Sequence, residues 1–384
     1  MKYRIMEKLG VKVSILGFGA MRLPTRGSYS EIEEKKAIEM IRYALDHGVN
    51  YIDTAYVYHD GQSEVVVGKA VKNGYRDRVY IATKLPVWLL KDKSDMDRIL
   101  KEQLQRLDTD YIDFYLLHGI DEDSWKKCLS MGVLEWGEKM KEKGLIKYFG
   151  FSFHDELEVF KKIIDYYNWD FCQIQYNYMD VNFQAGKEGL EYAGKKGIGV
   201  VVMEPLKGGT LVNPPEEVKT EIENYRIKRS PLEWAFLFIW NHPEVSTVLS
   251  GMSNLDQVKE NIEIASKAEI GLLTPEELKF IDYIREVYAN IKAIDCTQCR
   301  YCMPCPYGVD IPRNFALYND GVRFKSFRSQ WYLGAPWFVY NHEMKPEERA
   351  ENCRKCGECE TKCPQGLPIR ELLDKVVREL RMEI

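Results

Sequence analysis

Eight short apolar runs recur along residues 15–250, with helical patterning between them. They are ILGFG (15–19), YID (51–53), VYIAT (79–83), YIDFYLLH (111–118), IKYFGF (146–151), FCQIQ (171–175), IGVVVM (198–203) and VSTVLS (245–250). Most are continuous rather than alternating, which is the pattern of strands covered on both faces in a parallel sheet. Ser30 with Glu33 reads as a capping box ahead of an apolar face of Ala37, Ile38, Ile41, Ala44 and Leu45, and Gly48 reads as the stop. Ser94 opens another helix, with Ile99, Leu104 and Leu107 in its stripe. Thr274, Pro275 and Glu277 open a further one, with proline at the first helical position. Eight strand-then-helix units in roughly 250–290 residues predict an α/β chain built on a (β/α)8 TIM barrel. A doubly wound Rossmann sheet is the competing architecture. Its phosphate fingerprint is broken, because Gly17-Phe18-Gly19 is followed by Arg22 where the third glycine belongs.

In such a barrel the reacting residues sit at the carboxyl-terminal ends of strands. Asp53 ends the second run and Tyr58 follows it; Lys84 ends the third, and His118 ends the fourth. A lysine and a histidine closing apolar strands face costly burial unless paired, and Asp53 is placed to pair with Lys84. A lysine ammonium beside a phenol favours the phenolate, so Lys84 is expected to lower the pKa of Tyr58 and make it a general acid. His118 could hydrogen-bond a carbonyl oxygen and orient it. Such a set receives hydride at a carbonyl carbon and protonates the oxygen. Taken singly, each residue also has a structural reading as a cap, a surface lysine or a satisfied histidine.

The segments DTAYVYHDGQSEVVVGKAV (53–71), IATK (81–84), YIDFYLLH (111–118) and GLIKYFGFS (144–152) resemble the aldo-keto reductases over about residues 3–293. That resemblance implies a catalytic tetrad of Asp53, Tyr58, Lys84 and His118, with Tyr58 as proton donor. It also implies a nicotinamide cofactor laid across the barrel mouth. The cofactor contacts it implies are Gly19, Ala20 and Met21 in the first strand-end loop, and Ser152 and Gln173 at the carboxamide. Met203, Pro205, Leu206, Gly208 and Gly209 fall in the pyrophosphate segment, with Met203 where the family usually stacks an aromatic ring. Gln257, Glu260 and Asn261 fall in the adenosine-end segment. The basic residues that clamp a 2′-phosphate in the family are replaced by Gly251, Asn254 and Gln257, with Lys259 nearby, so the cofactor is NADP(H) or NAD(H). Phe153 stands where the family usually has Asn or His.

Composition changes near residue 293. Of ten cysteines, Cys128 and Cys172 precede it and read as buried core residues, while the other eight lie between Cys296 and Cys363. They form Cys296-x2-Cys299-x2-Cys302-x2-Cys305-Pro306 and Cys353-x2-Cys356-x2-Cys359-x3-Cys363-Pro364. Three closely spaced thiolates wrap three corners of a cubane, and a trailing Cys-Pro supplies the fourth ligand, which in two-cluster ferredoxins belongs to the other cluster. The expected sets are Cys296, Cys299, Cys302 and Cys363 for one [4Fe-4S] cluster, and Cys353, Cys356, Cys359 and Cys305 for the second. The second motif resembles the bacterial ferredoxin pattern; the first departs from it by one residue before its last cysteine. Zinc, which favours separated CxxC pairs, and disulfides are the competing readings. The expected division is therefore a barrel over 1–293 and a small, mainly helical, ferredoxin-like iron–sulfur domain over 294–384. The 47-residue spacer Pro306–Asn352 carries Trp331, Tyr332, Trp337, Phe338 and Tyr340. It reads as a small helical core with a docking surface for the barrel, or alternatively as a segment closing over the barrel mouth.

The net charge of −5 provides no bulk basic surface for nucleic acid. No run of about 18 apolar residues predicts a membrane span, and the first residues lack the apolar core of a secretory signal. A cytoplasmic protein without membrane or nucleic-acid partners is expected. The implied function is an oxidoreductase acting on a small carbonyl or alcohol substrate, with two clusters for electron transfer. Because a nicotinamide moves two electrons and a cluster one, a relay calls for a ferredoxin-like electron partner, a radical-forming substrate or a flavin, and no motif identifies a flavin site. The alternatives are the same reductase with purely structural clusters, or a redox-sensing and binding module without turnover.

Overall fold

The computed structural model describes residues 1–328 and 334–382, so Trp331 and Tyr332 of the spacer lie outside the described residues. The chain packs as two compact units, Met1–Pro205 with Ala235–Thr274, and Leu206–Trp234 with Pro275–Ile384.

The first unit begins with an antiparallel hairpin, β1 (Tyr3–Met6) and β2 (Val11–Ser14), which the run analysis did not anticipate. Its strands, YRIM and VKVS, each carry an exposed or half-exposed basic residue between apolar ones, so neither forms the continuous apolar run that marks a strand covered on both faces. Eight parallel strands follow: β3 (Leu16–Gly19), β4 (Tyr51–Asp53), β5 (Tyr80–Pro86), β6 (Ile112–Ile120), β7 (Ile146–Phe153), β8 (Phe171–Gln175), β9 (Gly199–Met203) and β10 (Val245–Gly251). They close in the order β10-β3-β4-β5-β6-β7-β8-β9. Each coincides with one of the eight apolar runs, and the (β/α)8 architecture is the observed one.

Alternate residues of these strands fill the barrel interior. Tyr51, Ala82, Phe114, Leu116, Phe171, Val201 and Leu249 form one buried cluster with Met6, Val11 and Val13 of the hairpin. The hairpin thus plugs the amino-terminal end of the barrel. Burying such a layer is the main stabilising term, at roughly 1.5–3 kcal/mol per large apolar side chain. Arg4 of β1 adds a polar tie, donating to the backbone carbonyls of Trp240, His242 and Val245.

Helices 94–107 and 275–290 start where their signals predict. The helix Glu34–Asp46 does not use the predicted capping box: Glu33 occupies the N-cap position and makes no side-chain cap bond. Thr25 and Ile32 pair as an isolated antiparallel bridge, and the Glu33 amide donates to Pro24 O at 2.7 Å. That bridge fixes the entry to the helix. The Ser30 carbonyl takes the Ile32 amide, and the Glu33 carboxylate pairs with Lys36.

In the second unit, the helices Ile311–Arg323 and Ile369–Leu380 carry a core of Ile294, Val309, Ile311, Phe315, Tyr340, Met344, Leu373 and Val376. Asp310 caps the first of these helices through its side chain, and Pro312 sits in its first turn. The spacer therefore supplies a helical core, with Trp337 packed against it. Six of the eight clustered cysteines also lie against this core.

Candidate active site and cysteine centres

Asp53 is the last residue of β4, Lys84 lies in β5 and His118 in β6, on three neighbouring strands. Lys84 and His118 are not terminal, because β5 runs to Pro86 and β6 to Ile120. The Lys84 Nζ is fully buried and donates to Asp53 Oδ1 at 2.6 Å and to Thr54 O at 2.8 Å. Tyr58 Oη lies 3.5 Å from the same Nζ. The His118 ring stands edge-on to the Tyr58 ring, centroids 5.9 Å apart, and Trp88 tilts over it at 4.9 Å. The structure thus brings the four predicted residues together.

The turn that carries Tyr58 is built from residues in the left-handed region, His59 (φ 51°), Asp60 (φ 53°) and Gly61 (φ 87°). It is held by the buried His59, which stacks on Tyr29 at 4.5 Å and contacts Tyr29 O through Nδ1. Sequence reasoning missed this role, because only the fold brings residue 29 against residue 59.

The electrostatics depart from the expectation in one respect. Burial pushes the Tyr58 phenol well above its ordinary range, and the Asp53 carboxylate adds to the rise. The ammonium does not lower it as predicted, since Lys84 spends its shorter hydrogen bonds on Asp53 and Thr54. Tyr58 is therefore held protonated. Burial raises Asp53 and lowers Lys84, and each opposes that shift in the other through their ion pair. Burial pushes His118 well below the usual imidazole range, and the Lys84 charge pushes the same way. Its Nδ1 has no hydrogen-bond partner among the described residues. A neutral imidazole beside a protonated phenol and a paired ammonium can orient an oxygen atom and deliver a proton to it.

Ser152 and Gln173 are register partners on β7 and β8, both buried. The Ser152 hydroxyl accepts the Gly119 amide at 2.8 Å and reaches Leu117 O only at 3.5 Å. Gln173 donates to Met203 Sδ at 3.4 Å, while its Oε1 is buried with no hydrogen-bond partner among the described residues. A hydroxyl lacking a close acceptor next to an unpartnered amide oxygen is the complement of a carboxamide, so these residues fit that part of a nicotinamide. Gly19 faces Ser250 O, which a Cβ there would approach to 3.2 Å. Ala20 is buried and Met21 half-buried. Gln257 and Asn261, on the helix Leu255–Lys267, are already engaged, Gln257 Oε1 accepting the Ser253 amide and Asn261 Nδ2 donating to Ser250 Oγ of β10. Glu260 is exposed. Pro205 closes the first unit. Leu206, Gly208 and Gly209 belong to the second, where Gly208 (φ 69°) and Gly209 (φ 90°) take the left-handed conformation that favours glycine.

In the cysteine-rich part, Gln298, Arg300 and Lys355, each between two cysteines, have positive φ. Those left-handed residues set the course of the loops between neighbouring cysteines. One small cavity is lined by Cys296, Cys299, Cys302 and Cys363, and a second by Cys302, Cys305, Cys353, Cys356 and Cys359. The Gln298 amide donates to Cys296 Sγ at 3.4 Å. An all-thiol donor set with an amide–sulfur bond fits an iron–sulfur group. Burial raises the thiols of Cys296, Cys302 and Cys359, the last to about 11, so metal binding there displaces protons. Cys128 and Cys172 are fully buried, and Cys128 is pushed up to about 12, as expected of inert core thiols.

A closed parallel barrel with these polar groups gathered on neighbouring strands defines a TIM-barrel oxidoreductase. The chain belongs to the aldo/keto reductase family, whose model matches residues 15–286, and a 4Fe-4S dicluster domain model matches residues 295–367. YqkF, an uncharacterized oxidoreductase of Bacillus subtilis (strain 168), is 28% identical over 310 residues, spanning 73% of this chain and 95% of that protein. A probable voltage-gated potassium channel subunit beta of Arabidopsis thaliana is 27% identical over 339 residues, spanning 74% and 96%. The holo form of the aldo-keto reductase AKR11C1 from Bacillus halodurans superposes with a TM-score of 0.63 at 32% identity, covering 74% of this chain and 96% of that one. No helix among the described residues is long and apolar enough to cross a membrane.

Because His118 is held neutral, the native chain resists a proton that the unfolded chain accepts at the ordinary imidazole value. Its contribution to stability is complete above that value and is lost as pH falls through the depressed one. A histidine NMR titration, assigned with His118→Gln, should place this ring below the ordinary range; titration within that range would overturn the assignment.

Proposed function

We propose that the barrel reduces a small carbonyl compound, or oxidises the corresponding alcohol, with NADP(H) or NAD(H). The observation that carries this reading is the buried Lys84–Asp53 ion pair set 3.5 Å from a protonated Tyr58 and beside a neutral His118. When bound, the nicotinamide supplies hydride to the carbonyl carbon. Tyr58 gives its proton to the carbonyl oxygen, and Lys84 stabilises the phenolate that remains. His118 donates a hydrogen bond that orients the same oxygen, and Asp53 keeps Lys84 charged and in place. Ser152 and Gln173 hold the carboxamide. The segment 251–260 contributes a single lysine, Lys259, so discrimination against NADH is weak. Tyr58→Phe should lower kcat by about 10²–10⁴-fold while leaving nicotinamide binding intact, as read by fluorescence titration. Unchanged turnover would remove Tyr58 from this role, and with it the argument against a non-catalytic binding module.

The division proposed is 1–293 for the barrel and 294–384 for a domain holding two [4Fe-4S] clusters. The lining of the two cavities supports ligand sets that cross between motifs, Cys363 joining Cys296, Cys299 and Cys302, and Cys305 joining Cys353, Cys356 and Cys359. An anaerobic preparation should carry about eight iron atoms per chain, and Cys363→Ser should remove the same cluster as Cys296→Ser, leaving about four. If Cys363→Ser instead matches Cys353→Ser, the ligands do not cross.

The clusters serve as an electron route to a ferredoxin-like partner. A second reading, in which they only brace the fold, is favoured by the packing of six cysteines against the helical core. Anaerobic addition of reduced nicotinamide without a carbonyl acceptor should bleach the cluster absorbance if they are a route, one electron of the hydride passing to each cluster and its proton to solvent. A spectrum that never changes assigns them to bracing.

A further inference from the structure

Behind the four residues lies a carboxylate that the reaction scheme does not use. Glu64 is fully buried in the first turn of the helix Gln62–Ala70. Its Oε1 accepts from Thr83 Oγ1 at 2.6 Å and from Gln103 Nε2 at 3.0 Å, and its Oε2 from Arg106 Nη1 at 3.2 Å. Gln103 also donates to Lys84 O at 2.9 Å, and its own carbonyl accepts from Tyr115 Oη at 2.7 Å. The preceding residue completes the arrangement: Ser63 Oγ donates to Ala20 O at 2.9 Å and meets Thr54 Oγ1 at 2.8 Å. The Ser63–Glu64 pair thus ties the carboxyl ends of β3, β4 and β5 to one helix start.

A buried charge with this many donors is costly to install, and a neutral glutamine or an apolar side chain could fill the space. Burial raises the Glu64 carboxyl, and the helix start together with the bonds from Thr83, Arg106 and Gln103 opposes that rise and favours the charged form, whose sign is what a glutamine would lack. Lys84 is faced by Asp53 from β4, Tyr58 from its turn, His118 from β6 and Glu64 from the 62–70 helix, with Arg106 of the 94–107 helix reaching it through Glu64. At contact distance the ammonium meets Asp53 Oδ1 and Thr54 O, of which only Asp53 carries a charge. Glu64 is the second negative charge acting on it.

We infer that Glu64 is a positioning residue for the proposed reaction, fixing the main chain of Lys84 through Thr83 and Gln103 and setting a second carboxylate behind its ammonium. This rests on the proposed roles of Lys84 and Tyr58, and a readout independent of turnover separates the two.

The test is Glu64→Gln in the full chain, with 13Cε-labelled lysine and Lys84 assigned by Lys84→Met. The Lys84 titration should move to lower pH by about one unit when the negative charge is removed. The alkaline limb of kcat for carbonyl reduction should move by the same amount in the same direction. kcat should fall about tenfold, with KM for the reduced nicotinamide changed by less than about twofold. If Lys84 titrates at the same pH in both proteins, the inference is overturned even if kcat falls, because a merely structural role would lower kcat without moving the lysine. If Glu64→Gln does not fold, Thr83→Val tests the same tie, because it removes a hydrogen bond that favours the charged carboxylate: a Lys84 titration moved to lower pH supports it, and an unmoved titration overturns it. Absence of carbonyl reduction by the natural protein would sink the functional reading and leave the lysine titration to decide on Glu64.

Discussion

The ion pair between Lys84 and Asp53 organises the carboxyl end of the barrel. Both groups are buried, and neither would keep its charge there without the other. The pair draws β4 and β5 into one electrostatic unit, fixes an ammonium within 3.5 Å of the Tyr58 hydroxyl, and pushes the neighbouring imidazole toward its neutral form. Because desolvation outweighs the help of Lys84, Tyr58 keeps its proton. In the proposed reaction the general acid is thus loaded by burial, and the ammonium acts when the phenolate forms rather than before.

The cysteine-rich part is organised differently. Its helical core is small, and much of what surrounds that core is thiol. Left-handed residues between neighbouring cysteines bend the loops so that the thiols line two cavities. A small core supported by metal is a common answer to limited apolar burial. Bracing and electron transfer are therefore not exclusive uses of the same ligands.

The legible parts of the site were those whose signal is local. A continuous apolar run marks a covered strand, so the eight strands and the residues Asp53, Lys84 and His118 could be placed from the chain alone. The parts that escaped depend on distant neighbours. The Ser30 cap is displaced by the Thr25–Ile32 bridge. The direction of the Tyr58 shift depends on its burial and on the Asp53 carboxylate brought beside it, which only the closed fold supplies. Glu64 stands inside the quoted 53–71 segment, yet its partners Thr83, Gln103 and Arg106 come from another strand and another helix.

The sequence by itself determined the eight barrel strands, the residue types near their carboxyl ends and the spacing of the thiols, because periodicity and spacing are written along one dimension. Only the tertiary structure decided which charges meet and which protons stay. Burial and the competition among hydrogen-bond acceptors arise from closing the sheet, when residues 20, 54, 64, 84 and 103 come to share one dry interior.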